Sequence, residues 1–146
     1  MALQEPIFAG VRRRPRGKGL RVALWAVQLL LALIFGMTGV MTLTQPIAAL
    51  ARMLGWPGSV PAGLVRLIGL AELAAAFGLV FSALTRIKPA LTSWAAGGLV
   101  ALMYMAVLFH LAQGEAGALP VTLVEAGLSG FVVWGRTWKA PISPRG

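Results

Sequence analysis

The sequence contains no cysteine and only one histidine among its 146 residues. The absence of cysteine excludes disulfide bonds, thiolate-bound metal ions and cysteine-ligated iron–sulfur clusters within this chain. A single histidine excludes a haem that is held by two histidines of one protomer. A dinucleotide-binding glycine motif is also missing, so we expect no metal site, no covalently bound cofactor and no catalytic activity of the chain on its own.

Charged residues are scarce, at 12% of the chain, whereas 58% of the residues are hydrophobic. Four apolar stretches fill most of the sequence, at 22–43, 62–84, 90–111 and 119–134. A helix crosses the ~30 Å hydrocarbon core with roughly 20 residues, so the fourth stretch is a minimal span and the others are ample. None shows the period-2 alternation of barrel strands. The sequence therefore predicts an all-α, membrane-spanning four-helix bundle in contact with the lipid bilayer.

Acidic residues are few as well, with four against 13 lysines and arginines and a formal net charge of +9. All of the basic residues except Arg52 and Arg66 lie before the first span, in the turn between spans two and three, or after the fourth span. Lysine and arginine accumulate on the cytoplasmic side of membrane proteins, so we predict that both termini are cytoplasmic. This placement favours a topology signal over a nucleic-acid partner, and we expect a bacterial inner membrane as the location.

The loops are short, and no boundary divides the membrane region into separate units. We predict a basic cytoplasmic arm at 1–21, a transmembrane domain at 22–136 and a cytoplasmic tail at 137–146. The first apolar run, of about 22 residues, exceeds the ~7 to 15 residues of a signal-peptide core and is expected to remain as a span. The longest connection, 44–61, predicts a short amphipathic helix at the outer interface, because its apolar residues recur at i, i+3, i+4 and i+7: Ile47, Leu50, Ala51 and Leu54.

Two carboxyl groups lie well inside the predicted spans, Glu72 in the second and Glu125 in the fourth. An ionisable group at the centre of a span costs roughly 2.5 to 3.5 kcal/mol on insertion scales, which makes each a candidate for function. Small residues surround Glu72 along the helix, so we expect it to face the bundle interior. Burial disfavours the charged form, and at least one of the two should be protonated at neutral pH. The alternative is that each only forms a hydrogen bond with a neighbouring helix.

Further polar residues extend this set of candidates. Thr122, Glu125 and Ser129 form a stripe on one face of span four, and Gln28 on span one is expected to point inward. Arg66 and His110 lie nearer the outer surface, where each could instead be an anchor or a hydrogen-bond partner. The candidate ligand-binding residues are therefore Glu72, His110, Glu125, Gln28, Arg66 and Thr122.

The sequence contains several short motifs in a characteristic order: Gly39-Val40-Met41-Thr42-Leu43-Thr44-Gln45-Pro46, Trp56-Pro57, Leu67-Ile68-Gly69-Leu70-Ala71-Glu72-Leu73, Phe109-His110-Leu111, Gly114-Glu115 and Trp134-Gly135-Arg136. Together these motifs resemble the DoxX-like family of small four-helix membrane proteins, over roughly residues 24–136. Two departures are Thr42, where the family pattern suggests lysine, and Thr122, where it often has asparagine. Glu72 and His110 match the family's polar positions, whereas Glu125 is particular to this chain.

The resemblance implies an integral membrane subunit associated with redox chemistry, since the family takes its name from a component of a thiosulfate:quinone oxidoreductase. We therefore expect support of a membrane-associated oxidoreductase, with a quinone or lipid pocket between the spans. A redox protein of the membrane or a second copy of the chain would be the partner. Two other functions stay open: a structural or assembly protein without a ligand, and a small proton-linked carrier that uses Glu72 and Glu125.

Overall fold

The protein is described here from a computed structural model of residues 17–145, so most of the predicted basic arm lies outside the described residues. The described part is helical, without a β-strand. Four of its helices are long and apolar enough to cross a membrane, the last one when it is counted with its flanking turns as Ala116–Lys139. This confirms the predicted all-α architecture. The helices are α1 (Lys18–Thr44), α2 (Ile47–Leu54), α3 (Ala62–Thr85), α4 (Ala90–Gln113) and α5 (Leu119–Trp134).

The long helices form a closed ring in which α1 packs against α3, α3 against α4, α4 against α5, and α5 against α1. Helices α3 and α5 therefore lie diagonally across the bundle. Aliphatic side chains and one aromatic ring fill the centre, while other large apolar side chains such as Leu33 and Phe77 are exposed, as expected for surfaces that face lipid. The central cluster consists of Leu31, Phe35, Ala75, Ala76, Leu79, Ala96, Leu99, Met103 and Val132.

Glycines bring α1 and α3 into close contact. A Cβ atom at Gly39 would lie 2.9 Å from the backbone oxygen of Gly69, and a Cβ atom at Gly69 would lie 2.9 Å from the Cβ of Thr42. No side chain larger than hydrogen fits at either position without a shift of the helices. In lipid, such close approach replaces the hydrophobic drive that brings helices together in water.

The two ends of the bundle differ. At one end, which we call the turn end, α1 begins, the α3–α4 turn lies at residues 86–89, and α5 ends in a π-helix at Gly135–Lys139. The backbone N–H of Arg145 donates to the carbonyl oxygen of Arg86 at 3.1 Å, so the tail also lies there. The opposite end, which we call the α2 end, carries the short helix α2.

Helix α2 confirms the amphipathic helix that the spacing in the first loop predicts. Leu50 is fully buried, whereas Leu54, on the same predicted face, is 38% exposed. The helix ends at Gly55, whose positive φ of 76° favours glycine, and a 3₁₀ turn follows at Trp56–Gly58. Only the first turns of the predicted apolar face are therefore covered by the bundle.

Candidate functional site

Glu72 lies on the inner face of α3, as predicted, and is only 8% exposed. Its Oε2 atom is buried and has no hydrogen-bond partner among the described residues. Two polar side chains lie within interaction range, Thr38 on α1 and Glu125 on α5. The Thr38 hydroxyl donates to the carbonyl oxygen of Ile34 at 3.1 Å. Its single proton is therefore used, and toward Glu72 the hydroxyl oxygen can only accept a hydrogen bond. A buried acid with an unused oxygen can exchange a proton or a hydrogen bond with a ligand or with water.

Glu125 is half-buried on α5, where it shares a face with Thr122 and Ser129. Both of these neighbours are buried, so this face of α5 is directed toward the bundle interior. The Thr122 hydroxyl donates to the carbonyl oxygen of Ala118 in its own helix at 3.0 Å, so its proton is committed locally. The Ser129 hydroxyl has no partner within residues 17–145. Glu125 and Glu72 approach each other from diagonal helices and not from neighbouring ones.

Gln28 is fully buried, as predicted, but it belongs to the turn end and not to the two carboxyl groups. Its Nε2 donates to the carbonyl oxygen of Leu79 at 2.7 Å, and its Oε1 accepts from Arg136 Nε at 2.6 Å. The described hydrogen bonds of Gln28 therefore go to Leu79 and Arg136 and not to Glu72 or Glu125. Leu79 lies about two helical turns beyond Glu72 along α3, and the Gln28 amide joins α3 to α5 at that level.

Arg136 is a buried polar residue whose position the sequence did not predict. It was counted among the basic residues that mark the cytoplasmic side, yet its side chain is only 6% exposed. Nη1 donates to the carbonyl oxygen of Ala140 at 3.4 Å, and the guanidinium lies 5.6 Å from the ring centroid of Trp25. The sequence carries one signal for this burial, because Arg136 follows Ser129 by seven residues, two helical turns, and so extends the inward polar stripe of α5.

At the α2 end, Arg66 stabilises the end of α1. Its Nη1 donates to the carbonyl oxygen of Thr42, and its Nη2 donates to that of Gln45 at 2.8 Å. The last carbonyl groups of a helix lack partners within the helix, and a cation there also complements the helix dipole. Arg66 therefore does not pair with Glu72, as its position about 240° away around α3 suggested.

His110 and Glu115 form a pair at the same end of the bundle. His110 Nδ1 lies 2.8 Å from Glu115 Oε2, and the histidine side chain is 10% exposed against 37% for the glutamate. Gly114, with a positive φ of 72°, makes the turn that brings the two residues together after α4. This is the hydrogen-bonding role that the sequence left open as the alternative to a ligand site for His110.

Neither of two grooves on the surface of the described residues is lined by Glu72 or Glu125. The first, of about 580 Å³, lies at the turn end between α4, the end of α5 and the tail. The second, of about 460 Å³, runs along α1 beside Gly36. Among the described residues, no group of three or more histidine, cysteine, aspartate or glutamate residues could hold a metal ion.

A model of the DoxX-like family matches residues 26–132 of this chain. The chain belongs to the DoxX-like family. The matched segment contains Gln28, Arg66, Glu72, His110 and Glu125, while Arg136 lies just beyond it. No curated protein and no solved structure matches the chain. Family membership and the four long apolar helices together make this DoxX-like protein an integral membrane protein.

Proposed function

We propose that this DoxX-like protein is a non-catalytic subunit that supports a membrane-associated oxidoreductase and presents Glu72 to a quinone-like molecule. The observation that carries the proposal is the buried Glu72 carboxyl with its unpaired Oε2. Ionisable groups inside a membrane protein are costly and are retained mainly where they serve transport, proton transfer or ligand binding. Redox chemistry as the setting is the part of this proposal that follows from the name of the family.

The proposed role follows from the chemistry of quinone reduction. A quinone takes up two electrons and two protons to become a quinol, with one proton on each oxygen. The electrons would come from a partner, because the sequence has no cysteine and no second histidine to hold a redox centre. A carboxyl group near the lipid phase can donate a hydrogen bond to a quinone oxygen and deliver a proton to it. Glu125, the other carboxyl group inside the spans, would be the source of the proton that restores Glu72.

A structural role is the second candidate, and one observation favours it. Neither of these two surface grooves reaches Glu72 or Glu125, so neither gives a ligand access to the two carboxyl groups. In that case Glu72 and Glu125 would serve helix pairing alone. In both cases we place the protein in a bacterial inner membrane with both termini cytoplasmic, as the basic residues at the turn end predict.

Copurification from native membranes distinguishes the two candidates. The full chain, extracted in a mild detergent, is analysed by mass spectrometry for associated proteins and by chromatography of its lipid extract for quinone. We expect an oxidoreductase subunit and a quinone in the preparation, with quinone reduced several-fold by Glu72→Gln. Glu125→Gln removes the second carboxyl group, which is half-buried and does not contact the quinone in this proposal, so this variant should retain more quinone than Glu72→Gln. A preparation that contains neither redox protein nor quinone would favour the structural role.

A further inference from the structure

The buried guanidinium of Arg136 has no anionic partner in the described chain. Its neighbours are the neutral Gln28 amide, the carbonyl group of Ala140 and the ring of Trp25. The positive charge of Arg21 repels that of the Arg136 guanidinium. Its Nη2 atom is buried and has no hydrogen-bond partner between residues 17 and 145. Burial of a cation is costly unless it is paired and its donors are used. Residues 17–145 supply no acceptor with negative charge for this guanidinium.

Arg136 also lines the groove of about 580 Å³ at the turn end, which we call the tail groove. One side of the groove is the beginning of α4, the other is the end of α5, and the tail closes it from the third side. Apart from Arg136, Ser93 and Thr137, its lining is apolar. The lining residues are Pro89, Ala90, Ser93, Trp94, Gly97, Val133, Arg136, Thr137, Pro141, Ile142 and Pro144.

The surroundings of the tail groove carry positive charge. Helix α4 begins at Ala90, which lines the groove, so the positive end of its dipole adds to the field of Arg136. The other cations of the described chain at the turn end are Lys18, Arg21, Arg86, Lys88, Lys139 and Arg145. No aspartate or glutamate side chain of residues 17–145 lies at this end. Exposed tryptophans, Trp94 at 76% and Trp138 at 66%, place the groove at the level of the lipid headgroups.

The tail groove has a cationic part near Arg136 and an apolar part near Gly97 and Val133. These two parts match a ligand that has an anionic headgroup and an apolar chain. Gly97 lies about two helical turns into α4 and Val133 lies opposite on α5, so the groove continues from the headgroup level toward the hydrocarbon region. A phosphate group provides acceptors for arginine, and an acyl chain fills an apolar groove. A free phosphate ion could also accept hydrogen bonds from Arg136, but it has no apolar chain to fill the apolar part of the groove.

We propose that the tail groove is a binding site for one anionic phospholipid. Its phosphate accepts a hydrogen bond from the guanidinium of Arg136, and one acyl chain lies along Gly97 and Val133. The lipid supplies the negative charge that the buried guanidinium lacks, and it ties α4, α5 and the tail together at the membrane surface. This proposal does not depend on a redox role or on quinone binding at Glu72.

Native mass spectrometry of the full chain tests the proposal, with phosphatidylglycerol as the anionic probe and phosphatidylcholine as the zwitterionic one. The sharpest pair of variants is Gly97→Leu and Gly98→Leu. A Cβ atom at either glycine has open space around it, so both variants should fold, but only Gly97 lines the tail groove. Arg136→Gln removes the charge itself, and Arg86→Gln removes an exposed cation of the same end.

We expect one phosphatidylglycerol to be retained by the wild-type, Gly98→Leu and Arg86→Gln proteins, at about tenfold preference over phosphatidylcholine. Gly97→Leu and Arg136→Gln should lose that preference. If Arg136→Gln does not fold, the glycine pair decides alone. Equal retention by Gly97→Leu and Gly98→Leu, or equal retention of the two lipids by the wild type, would overturn the proposal. Displacement of phosphatidylglycerol by millimolar inorganic phosphate would overturn it too, because the site would then recognise the free ion.

Discussion

Arg136 and Gln28 are joined by a hydrogen bond of 2.6 Å between Nε and Oε1, although they lie 108 residues apart in the chain. This bond connects the end of α5 to α1, and the same Gln28 amide continues to the carbonyl oxygen of Leu79 on α3. Three of the four long helices therefore meet at one buried amide. We expect this network to contribute to the stability of the turn end.

Loss of either partner should destabilise the protein. Gln28→Leu leaves the buried guanidinium without its acceptor, and Arg136→Met leaves the Gln28 oxygen unpaired, so each should lower the free energy of unfolding by about 2 to 3 kcal/mol. The double variant should cost less than the sum of the two, by about 1 kcal/mol or more, because no unpaired group remains. Equilibrium unfolding in mixed micelles measures all three values. Strict additivity would show that the two side chains are not coupled.

The contact between Gly39 and Gly69 should tolerate no added methyl group. Gly39→Ala places a Cβ atom 2.9 Å from the backbone oxygen of Gly69, which must force α1 and α3 apart and cost about 1 to 3 kcal/mol. Gly98→Ala is the matched control, since nothing lies within 4 Å of its added Cβ atom. Thermal unfolding in detergent should show a lower midpoint for the first variant and no loss for the second. Equal midpoints would contradict the close packing of these helices.

Arg66 should act as a helix cap and not as a ligand-binding residue. Arg66→Gln removes donors to the carbonyl groups of Thr42 and Gln45, and we expect a loss of about 1 to 2 kcal/mol in unfolding free energy. Arg52→Gln, at an exposed cation of α2 on the same end, should change stability by less than about 0.5 kcal/mol. Comparable losses in the two variants would mean that net charge, and not the cap, matters at this end.

The membrane architecture could be predicted from sequence because its signals are local. Each span is a continuous apolar run, and the spacing of Ile47 and Leu50 was enough to place α2. Glu72 was also placed correctly, because the small residues beside it mark the face of α3 that packs against α1. In these cases the property that decides the structure lies within one helix.

The polar contacts between helices could not be predicted, because they depend on how the helices are arranged. The sequence does not show that α3 and α5 lie diagonally across the bundle. It therefore could not show whether Glu72 and Glu125 lie on neighbouring helices. It also could not show that the inward-facing Gln28 meets Leu79 and Arg136 at the turn end. The burial of Arg136 could not be predicted, because this residue follows an apolar run. Basic residues at such positions ordinarily lie in water and mark the cytoplasmic side.

The topology itself can be tested directly, because the chain has no cysteine to remove. Single cysteines at Lys88, in the turn end, and at Ser59, in the α2 end, can be labelled with a membrane-impermeant maleimide in intact cells. We predict labelling at Ser59 alone, and labelling at Lys88 only after the cells are opened, since basic residues collect on the cytoplasmic side. The reverse pattern would place the termini outside.

The most direct test of the proposed role of Glu72 is infrared difference spectroscopy of the protein in lipid, with and without added quinone. The proposal predicts a quinone-dependent change in a carboxyl band that is present in the wild type, absent in Glu72→Gln and kept in Glu125→Gln. The amide in Glu72→Gln retains the shape and both a donor and an acceptor, so the protein should fold and bind its usual lipids. A spectrum that does not respond to quinone, or a response that persists in Glu72→Gln, would contradict the role of Glu72 in quinone binding.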